Sequence, residues 1–223
     1  MISLPPRLRA VAELIPAGAR VVDVGTDHAR LPVYLMQRGL VSSVLATDLH
    51  AGPLRRARRL LVRCGLDGVV PLRQADGLSG LPLDQFDVVV MAGLGADTIL
   101  ELCRQTPPPA HVICLFQPMS HAERLRAWWG DAITAERLVR EENRLYSVMT
   151  VSPGDKLPEA VPPGRRYVGR ALEQSGDPLL NAYLDQQIAR LAAEAEGLSA
   201  SRRPEDDIRR AETGEALTFL REM

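Results

Sequence analysis

Arg20-Val21-Val22-Asp23-Val24-Gly25-Thr26-Asp27-His28 passes from a β-branched apolar run to an acidic position, a glycine and a polar turn. A run this apolar fits a strand covered on both faces. An acidic residue near a strand end, then glycine, then a turn into a helix, is how a Rossmann-type sheet presents a nucleoside ligand. Gly25 lacks a Cβ and lets backbone approach such a ligand closely. The stretch is not GxGxxG, because Asp27 stands where the second glycine would be. A pyrophosphate needs unobstructed backbone N–H groups and is repelled by a carboxylate, so a dinucleotide is disfavoured. A ligand carrying a sulfonium and an ammonium group suits Asp23 and Asp27. Helix capping by Asp27 and strand-end solvation by Asp23 is the plainer alternative.

Outward from this stretch the pattern repeats. Ser43-Val44-Leu45-Ala46-Thr47-Asp48, Val69-Val70-Pro71-Leu72-Arg73, Phe86-Asp87-Val88-Val89-Val90-Met91 and His111-Val112-Ile113-Cys114-Leu115-Phe116 are strand-like. Pro71 cannot donate to a ladder, which places the third run near a sheet edge. Helical patterning fills 31–38, closed by Gly39, and then 54–63, 97–104 and 122–129. Such alternation implies a doubly wound parallel sheet with right-handed crossovers. Past Trp129, the runs 133–140 and 145–151 meet through Glu141-Glu142-Asn143-Arg144 with no helix between them, as in an antiparallel hairpin. The expected fold is α/β: a Rossmann-like class I methyltransferase domain over 1–152, with a seven-stranded sheet whose last strand is antiparallel. Residues 153–166, rich in proline, glycine and charge, read as a linker. A small C-terminal α-helical, coiled-coil-like hairpin over 167–223 follows. Its first helix spans 178–195 with Asp177 as N-cap, and Ser201-Arg202-Arg203-Pro204-Glu205 restarts the chain into the second. Leu180, Tyr183, Leu184, Ile188 and Leu191 share its apolar face, packed within the hairpin or against the sheet domain, or serving a partner- or RNA-binding arm.

The chain has 223 residues, 46% hydrophobic and 25% charged, which excludes a disordered chain, a collagen-like repeat and a disulfide-stapled miniprotein. A formal net charge of −1 attracts no polyanion globally, so one would need a local patch. Lys156 is the sole lysine, which a GC-rich coding bias explains most simply, and a surface of arginines also suits bidentate phosphate contacts. Arg55, Arg56, Arg58, Arg59 and Arg63 form a basic helix face that Arg7 and Arg9 extend, with a weaker cluster at Arg202, Arg203, Arg209 and Arg210. A solvated helix face is the alternative for these charges. Cys64, Cys103 and Cys114 have neither CxxC pairing nor metal-ligand spacing, so reduced thiols and no metal are expected. The N-terminus lacks the apolar core of a signal peptide, and no run approaches the ~18 apolar residues that span a bilayer. A soluble, cytoplasmic protein without membrane contact is expected.

Asp48 closes the second run near the ~20-residue spacing from the glycine at which a carboxylate holds ribose hydroxyls, with a solvated turn aspartate as the plainer alternative. Asp76-Gly77 follows the third, where an aspartate can accept from an adenine amino group, although turn chemistry explains this pair equally well. Together Asp23, Asp27, Asp48 and Asp76 describe a pocket for an adenosine bearing a positive centre. Met91-Ala92-Gly93-Leu94-Gly95-Ala96 ends the fourth run, where two glycines open space and expose backbone groups to a methyl acceptor. The acidic-or-amide, proline, proline, aromatic motif that serves exocyclic amines is absent there, which leaves ring nitrogens as acceptors.

Asp23-Val24-Gly25-Thr26-Asp27-His28-Ala29-Arg30-Leu31-Pro32 resembles the DxGTDHAxLP signature of bacterial tRNA adenine-N1 methyltransferases acting on adenine 22, the TrmK family. The likeness extends to Leu8-Arg9-Ala10-Val11-Ala12, Gly18-Ala19-Arg20-Val21, Met91-Ala92-Gly93-Leu94-Gly95, Leu115-Phe116-Gln117-Pro118 and Arg140-Glu141-Glu142-Asn143-Arg144-Leu145-Tyr146. It covers roughly residues 6–152 and, more loosely, the tail. The resemblance implies S-adenosylmethionine (SAM) as cofactor and tRNA as substrate. Asp27 and His28 then line the cofactor, with Asp23, Gly25, Thr26, Asp48, Asp76, Gly77, Gly93 and Leu94 as further contacts. Three departures stand out. Gly93-Leu94-Gly95-Ala96 replaces Gly-Met-Gly-Gly, which places an extra methyl on the acceptor side; Asp48 replaces a common glutamate; Arg30 replaces an aromatic.

Adenine N1 already carries a lone pair, so the reaction needs alignment and water exclusion and no general base. Acceptors near N1 and N6 would stabilise the charge that moves onto the purine. The backbone between Gly93 and Gly95 is the first candidate, then Asp27, with His28 orienting a neighbour or touching the base, or else serving only the structure of the helix N-terminus. Phosphate contacts by Arg7, Arg9, Arg55, Arg56, Arg59 and Arg63 would offset the cost of unstacking the target. No DNA partner is expected, and a monomer or weak homodimer suffices. Two alternatives remain: a SAM-dependent enzyme for another RNA site or a small molecule, and a non-catalytic RNA-binding relative.

Overall fold

A computed structural model describes residues 1–154, 160–199, 203–204 and 206–223. The middle of the linker with Lys156, together with Ser201, Arg202 and Glu205, lies outside the described residues. The chain enters through α1 (Pro6–Leu14), with proline at the first position, where a missing N–H leaves nothing unsatisfied. Next come β1 (Arg20–Val24), α2 (Arg30–Gln37), β2 (Ser43–Asp48), α3 (Ala51–Arg63) and β3 (Leu72–Gln74). A second half follows with β4 (Val88–Leu94), α4 (Ala96–Gln105), β5 (Ile113–Pro118) and α5 (Ala122–Trp129), and then the hairpin β6 (Ile133–Glu141) and β7 (Arg144–Val151). The tail holds α6 (Pro163–Tyr167), α7 (Arg170–Glu173), α8 (Leu180–Ser199) and α9 (Asp206–Glu222).

The strands form one seven-stranded sheet in the order β3-β2-β1-β4-β5-β7-β6, and β7 runs antiparallel to both neighbours. Val22, Val89, Cys114 and Phe116 point into one core, while Val21, Val88, Val90 and Leu115 point into the other. This period-2 alternation with apolar residues on both faces is why the runs read as continuously hydrophobic. Val24 pairs with Thr47 on one side and Met91 on the other, so the tips of β1, β2 and β4 lie level. Chain direction across the sheet reverses between β1 and β4, the switch point where open α/β sheets bind ligands.

Several boundaries move. β3 begins after Pro71 and lies at the edge, as a proline without a donor requires. β4 and β5 each start and end later than their patterns suggested. Gly39 does close α2, with Gly39 N–H donating to Met36 O and Leu40 N–H to Leu35 O. The sequence reading did not anticipate α1. The last residues of the stretch read as linker, from Pro163, belong to α6. α8 begins at Leu180, because Asp177 caps the turn ahead of it: its carboxylate accepts the N–H of Leu179 at 2.8 Å and of Leu138 in β6 at 2.7 Å.

That bond is one of several that fasten the tail to the sheet. Leu138, Val168, Leu172, Tyr183, Leu191, Ala216 and Leu220 bury one apolar cluster, with Leu180, Leu184 and Ile188 against its margin. Beneath it the fully buried Arg126 donates to Glu136 at 2.6 Å, Ser147 Oγ at 2.9 Å, Tyr183 OH at 3.1 Å and Arg166 O at 3.2 Å. Burial opposes the Arg126 charge, yet Glu136 outweighs it and the guanidinium is held above its ordinary pKa. Cys103 and Cys114 are buried free thiols, and burial pushes Cys103 up to about 12.

Candidate cofactor and acceptor site

The tips of β1 and β2 bring together Asp23, Gly25, Thr26, Asp27 and Asp48. Gly25 and Thr26 both donate their N–H to Thr47 O, at 2.9 and 2.8 Å, which carries the β1–β2 ladder into the loop. Gly25 sits at φ +75°, and a Cβ there would stand 3.3 Å from Leu94 Cδ2. Glycine takes this backbone angle without strain and leaves the Leu94 side chain its place over the loop. Asp23 is buried and accepts the Thr26 hydroxyl at 2.5 Å. Burial raises its pKa to about 6; the Thr26 bond pulls the other way and the nearby Asp48 adds to the rise. Asp48 is nearly buried and accepts His50 N–H at 2.9 Å and Asp27 N–H at 3.3 Å. A carboxylate has further lone pairs beyond those two bonds.

Asp27 itself is exposed, at φ +48°. Its carboxylate receives Arg56 at 2.7 Å and lies 3.3 Å from His28 Nε2. Asp76 stands exposed just past β3, next to Ala75, whose N–H donates to Asp48 O at 3.1 Å. Gly77 has a packing explanation: a Cβ there would lie 2.4 Å from Leu102 Cδ2 in α4.

On the acceptor side, β4 and β5 pair Ala92 with Gln117 and then Leu94 with Pro118, so Gly93 bulges out at φ +81° with open space where a Cβ would be. Leu94 reaches back over Gly25. Gly95 is the N-cap of α4. The extra methyl of Ala96 does not enter this space. Ala96 is 1% exposed within the core, and its N–H donates to Ser120 O. Arg30 turns away to bond Ser3 O at 3.0 Å. Gln117, noted in the sequence only within a longer run, is wholly buried with its carbonyl oxygen on Gly93 N–H. The available signal was a single amide near the end of an otherwise apolar strand.

The basic residues divide sharply. α3 buries Ala57 and Leu61 and exposes Arg55, Arg56, Arg58, Arg59 and Arg63. With His28 and Val62 these five arginines line a groove of about 780 Å³, and His28, Arg56 and Arg63 also border a second hollow of about 560 Å³. Among the described residues only Arg56 of this set has an ion-pair partner, Asp27. Arg7, by contrast, is bound by Glu141 of β6, and the exposed Arg9 lies 4.0 Å from Glu13 one turn along α1. In the tail, Arg190 pairs with Glu123, Arg203 with Asp206, Arg209 with Glu194 and Arg210 with Asp207. Trp128 and Trp129 pack on the core, with Trp129 6.0 Å from the Phe116 ring.

The sheet order and the acidic strand tips beside a left-handed glycine define a Rossmann-like methyltransferase domain. The methyltransferase domain family matches residues 4–149. The tRNA (adenine(22)-N(1))-methyltransferase of Bacillus subtilis (strain 168) is 31% identical over 160 residues, 70% of this chain and 67% of that protein. The chain belongs to this tRNA methyltransferase family. Streptococcus pneumoniae Sp1610, solved with S-adenosyl-L-methionine, is 27% identical with a TM-score of 0.76, covering 100% of this chain and 99% of that one. The B. subtilis tRNA methyltransferase TrmK has the same fold, with a TM-score of 0.85 at 24% identity, covering 100% of this chain and 99% of that one.

Proposed function

We propose that this chain transfers the methyl group of SAM to N1 of adenine 22 in tRNA. The observation that carries the reading is the pairing of a buried Asp23 and a nearly buried Asp48 at adjacent strand tips, with Asp27 between them and Gly25 below Leu94. This donor set fits the group: carboxylates face its cationic and hydroxyl functions, and glycine leaves room where a side chain would intrude. When bound, SAM supplies an electrophilic methyl on a sulfonium.

Asp23, Gly25, Thr26, Asp27, His28, Asp48, Asp76, Gly77, Gly93 and Leu94 hold it on this reading. Asp48 takes the ribose hydroxyls with its spare lone pairs, and Asp23 contributes negative charge from beneath the loop. Leu94 over Gly25 excludes water from the reacting side. The backbone from Gly93 to Gly95 faces the base and accepts from its amino edge as positive charge develops, with Asp27 and His28 at the rim. No residue need act as a general base, because N1 brings its own lone pair.

The arginines of α3 that have no ion-pair partner among the described residues, Arg55, Arg58, Arg59 and Arg63, with Arg56 at the junction, take the phosphodiester of the tRNA. Arg7 and Arg9 fit this role less well, given their pairing with Glu141 and Glu13. The same reading keeps a sheet domain over 1–152, a helical unit over 167–223, a cytoplasmic location, and a monomer or weak homodimer without DNA or membrane partners. Among the described residues no helix is long and apolar enough to cross a membrane.

The test is methyl transfer from SAM to total tRNA, followed by nucleoside analysis and mapping of the modified position. N1-methyladenosine at position 22 is expected. A methyl group at another RNA site, or none on RNA, refutes the reading.

A further inference from the structure

We infer that Gln117 is a positioning residue for the methyl acceptor, acting through the Gly93 bulge; this rests on the methyl-transfer reading above. Gln117 is the penultimate residue of β5 and is 0% exposed, an unusual place for an amide. Its Oε1 accepts Gly93 N–H at 3.2 Å, and its Nε2 donates to Pro118 O at 3.0 Å and lies 3.8 Å from Met119 Sδ. The side chain thus stands in for a stretch of backbone at the point where the β4–β5 register slips and Gly93 drops out of the ladder. Beyond it the two segments stay joined, with Met119 N–H donating to Leu94 O at 2.8 Å and Ala96 N–H to Ser120 O at 3.3 Å.

The bulge has consequences on both sides of the site. It swings Leu94 over Gly25 and leaves open space at Gly93, where the base must come. Gly93 has no side chain to limit its backbone, so its angle is held by its neighbours. Gln117 is the side chain that grips it. In-line transfer tolerates little error, and a displacement of about 1 Å costs on the order of 100-fold in rate. Gln117 touches neither ligand; it fixes the peptide that does.

Wild-type transfer to tRNA is measured first, and its absence overturns both the functional reading and this inference. With the wild type active, Gln117→Leu removes both amide bonds at similar volume. We expect kcat to fall about 100-fold while the KM for tRNA stays within about threefold and the SAM dissociation constant, which Gly93 and Leu94 share with eight other residues, rises by less than about tenfold in calorimetry. A kcat within threefold of wild type, or a SAM affinity lost in proportion to kcat, overturns the inference.

Gln117→Glu gives a second, independent readout should the leucine variant fail to fold. A protonated carboxyl both accepts from Gly93 and donates to Pro118, as the amide does, whereas the carboxylate opposes the Pro118 carbonyl and is disfavoured by burial. Among the described residues no ionisable side chain is bonded to Gln117. The ratio of variant to wild-type kcat should therefore rise as pH falls, measured below the melting temperature of either protein. A flat or falling ratio overturns the inference.

Discussion

Asp23 stores a conflict between stability and binding. Its pKa is raised to about 6, so the folded chain binds more protons than the unfolded one between about pH 4 and 6, and stability falls as pH rises through that window. Above it the buried charge costs about 3 kcal/mol. Asp23→Asn keeps an oxygen for the Thr26 hydroxyl and removes the charge, so its stability at pH 7.5 in urea unfolding should rise by about 1–2 kcal/mol. SAM affinity should fall by about tenfold or more in the same variant. In the wild type the sign reverses for binding: SAM affinity should weaken as pH drops below about 6, which calorimetry across pH 5–8 checks. Asp27→Ala, at an exposed rim, should instead abolish methyl transfer with little change in melting temperature. Asp23, Gly25 and Asp48 were legible in the sequence because strand ends and a glycine turn are local signals. The burial of Gln117 was not, because its partner Gly93 is supplied by another strand.

α3 is the element whose pattern carried most information. Arginines on one face and Ala57 and Leu61 on the other follow the helical period, so its exposed surface was readable before its location. Its near-isolation from carboxylates was not readable, since net charge is near zero and the partners of an arginine are set by the tertiary fold. Arg7, Arg190 and Arg209 face acids brought in by other elements, Glu141 from β6, Glu123 from α5 and Glu194 from α8, whereas Arg203 and Arg210 pair within their own segment with Asp206 and Asp207. α1 was missed for a related reason: its buried Ala10, Val11 and Ala12 are small, and the run is short. The division predicts opposite outcomes for two sets of substitutions. Arg58→Gln, Arg59→Gln and Arg63→Gln together should weaken tRNA binding and flatten the slope of log affinity against log salt by about 2–3. Arg190→Gln with Arg209→Gln should leave that slope unchanged. A filter-binding series from low to high salt distinguishes them, and equal slopes for both sets would remove α3 from the interface.

Across the whole molecule, the strand alternation predicted the sheet and its hairpin, and the apolar face of α8 allowed for packing on the sheet domain, whereas the polar joint that fastens the tail was invisible. A buried arginine in a helix reads as a surface charge, and the partners of Arg126 arrive from β6, β7, α6 and α8. Its place beneath the apolar cluster of Leu172, Tyr183 and Leu191 makes it the polar centre of the joint between sheet and tail. A buried ion pair of this kind is expensive to break on one side, because the remaining charge has neither water nor partner. Arg126→Met should therefore destabilise the fold by about 3–5 kcal/mol, read from the urea midpoint at constant m-value. Adding Glu136→Leu removes the orphaned carboxylate and should recover most of that loss, although Ser147 and Tyr183 then lose a bonding partner. A double variant as unstable as the single one would mean that the hydroxyl bonds to Ser147 and Tyr183, and not the pairing with Glu136, hold the tail against the sheet.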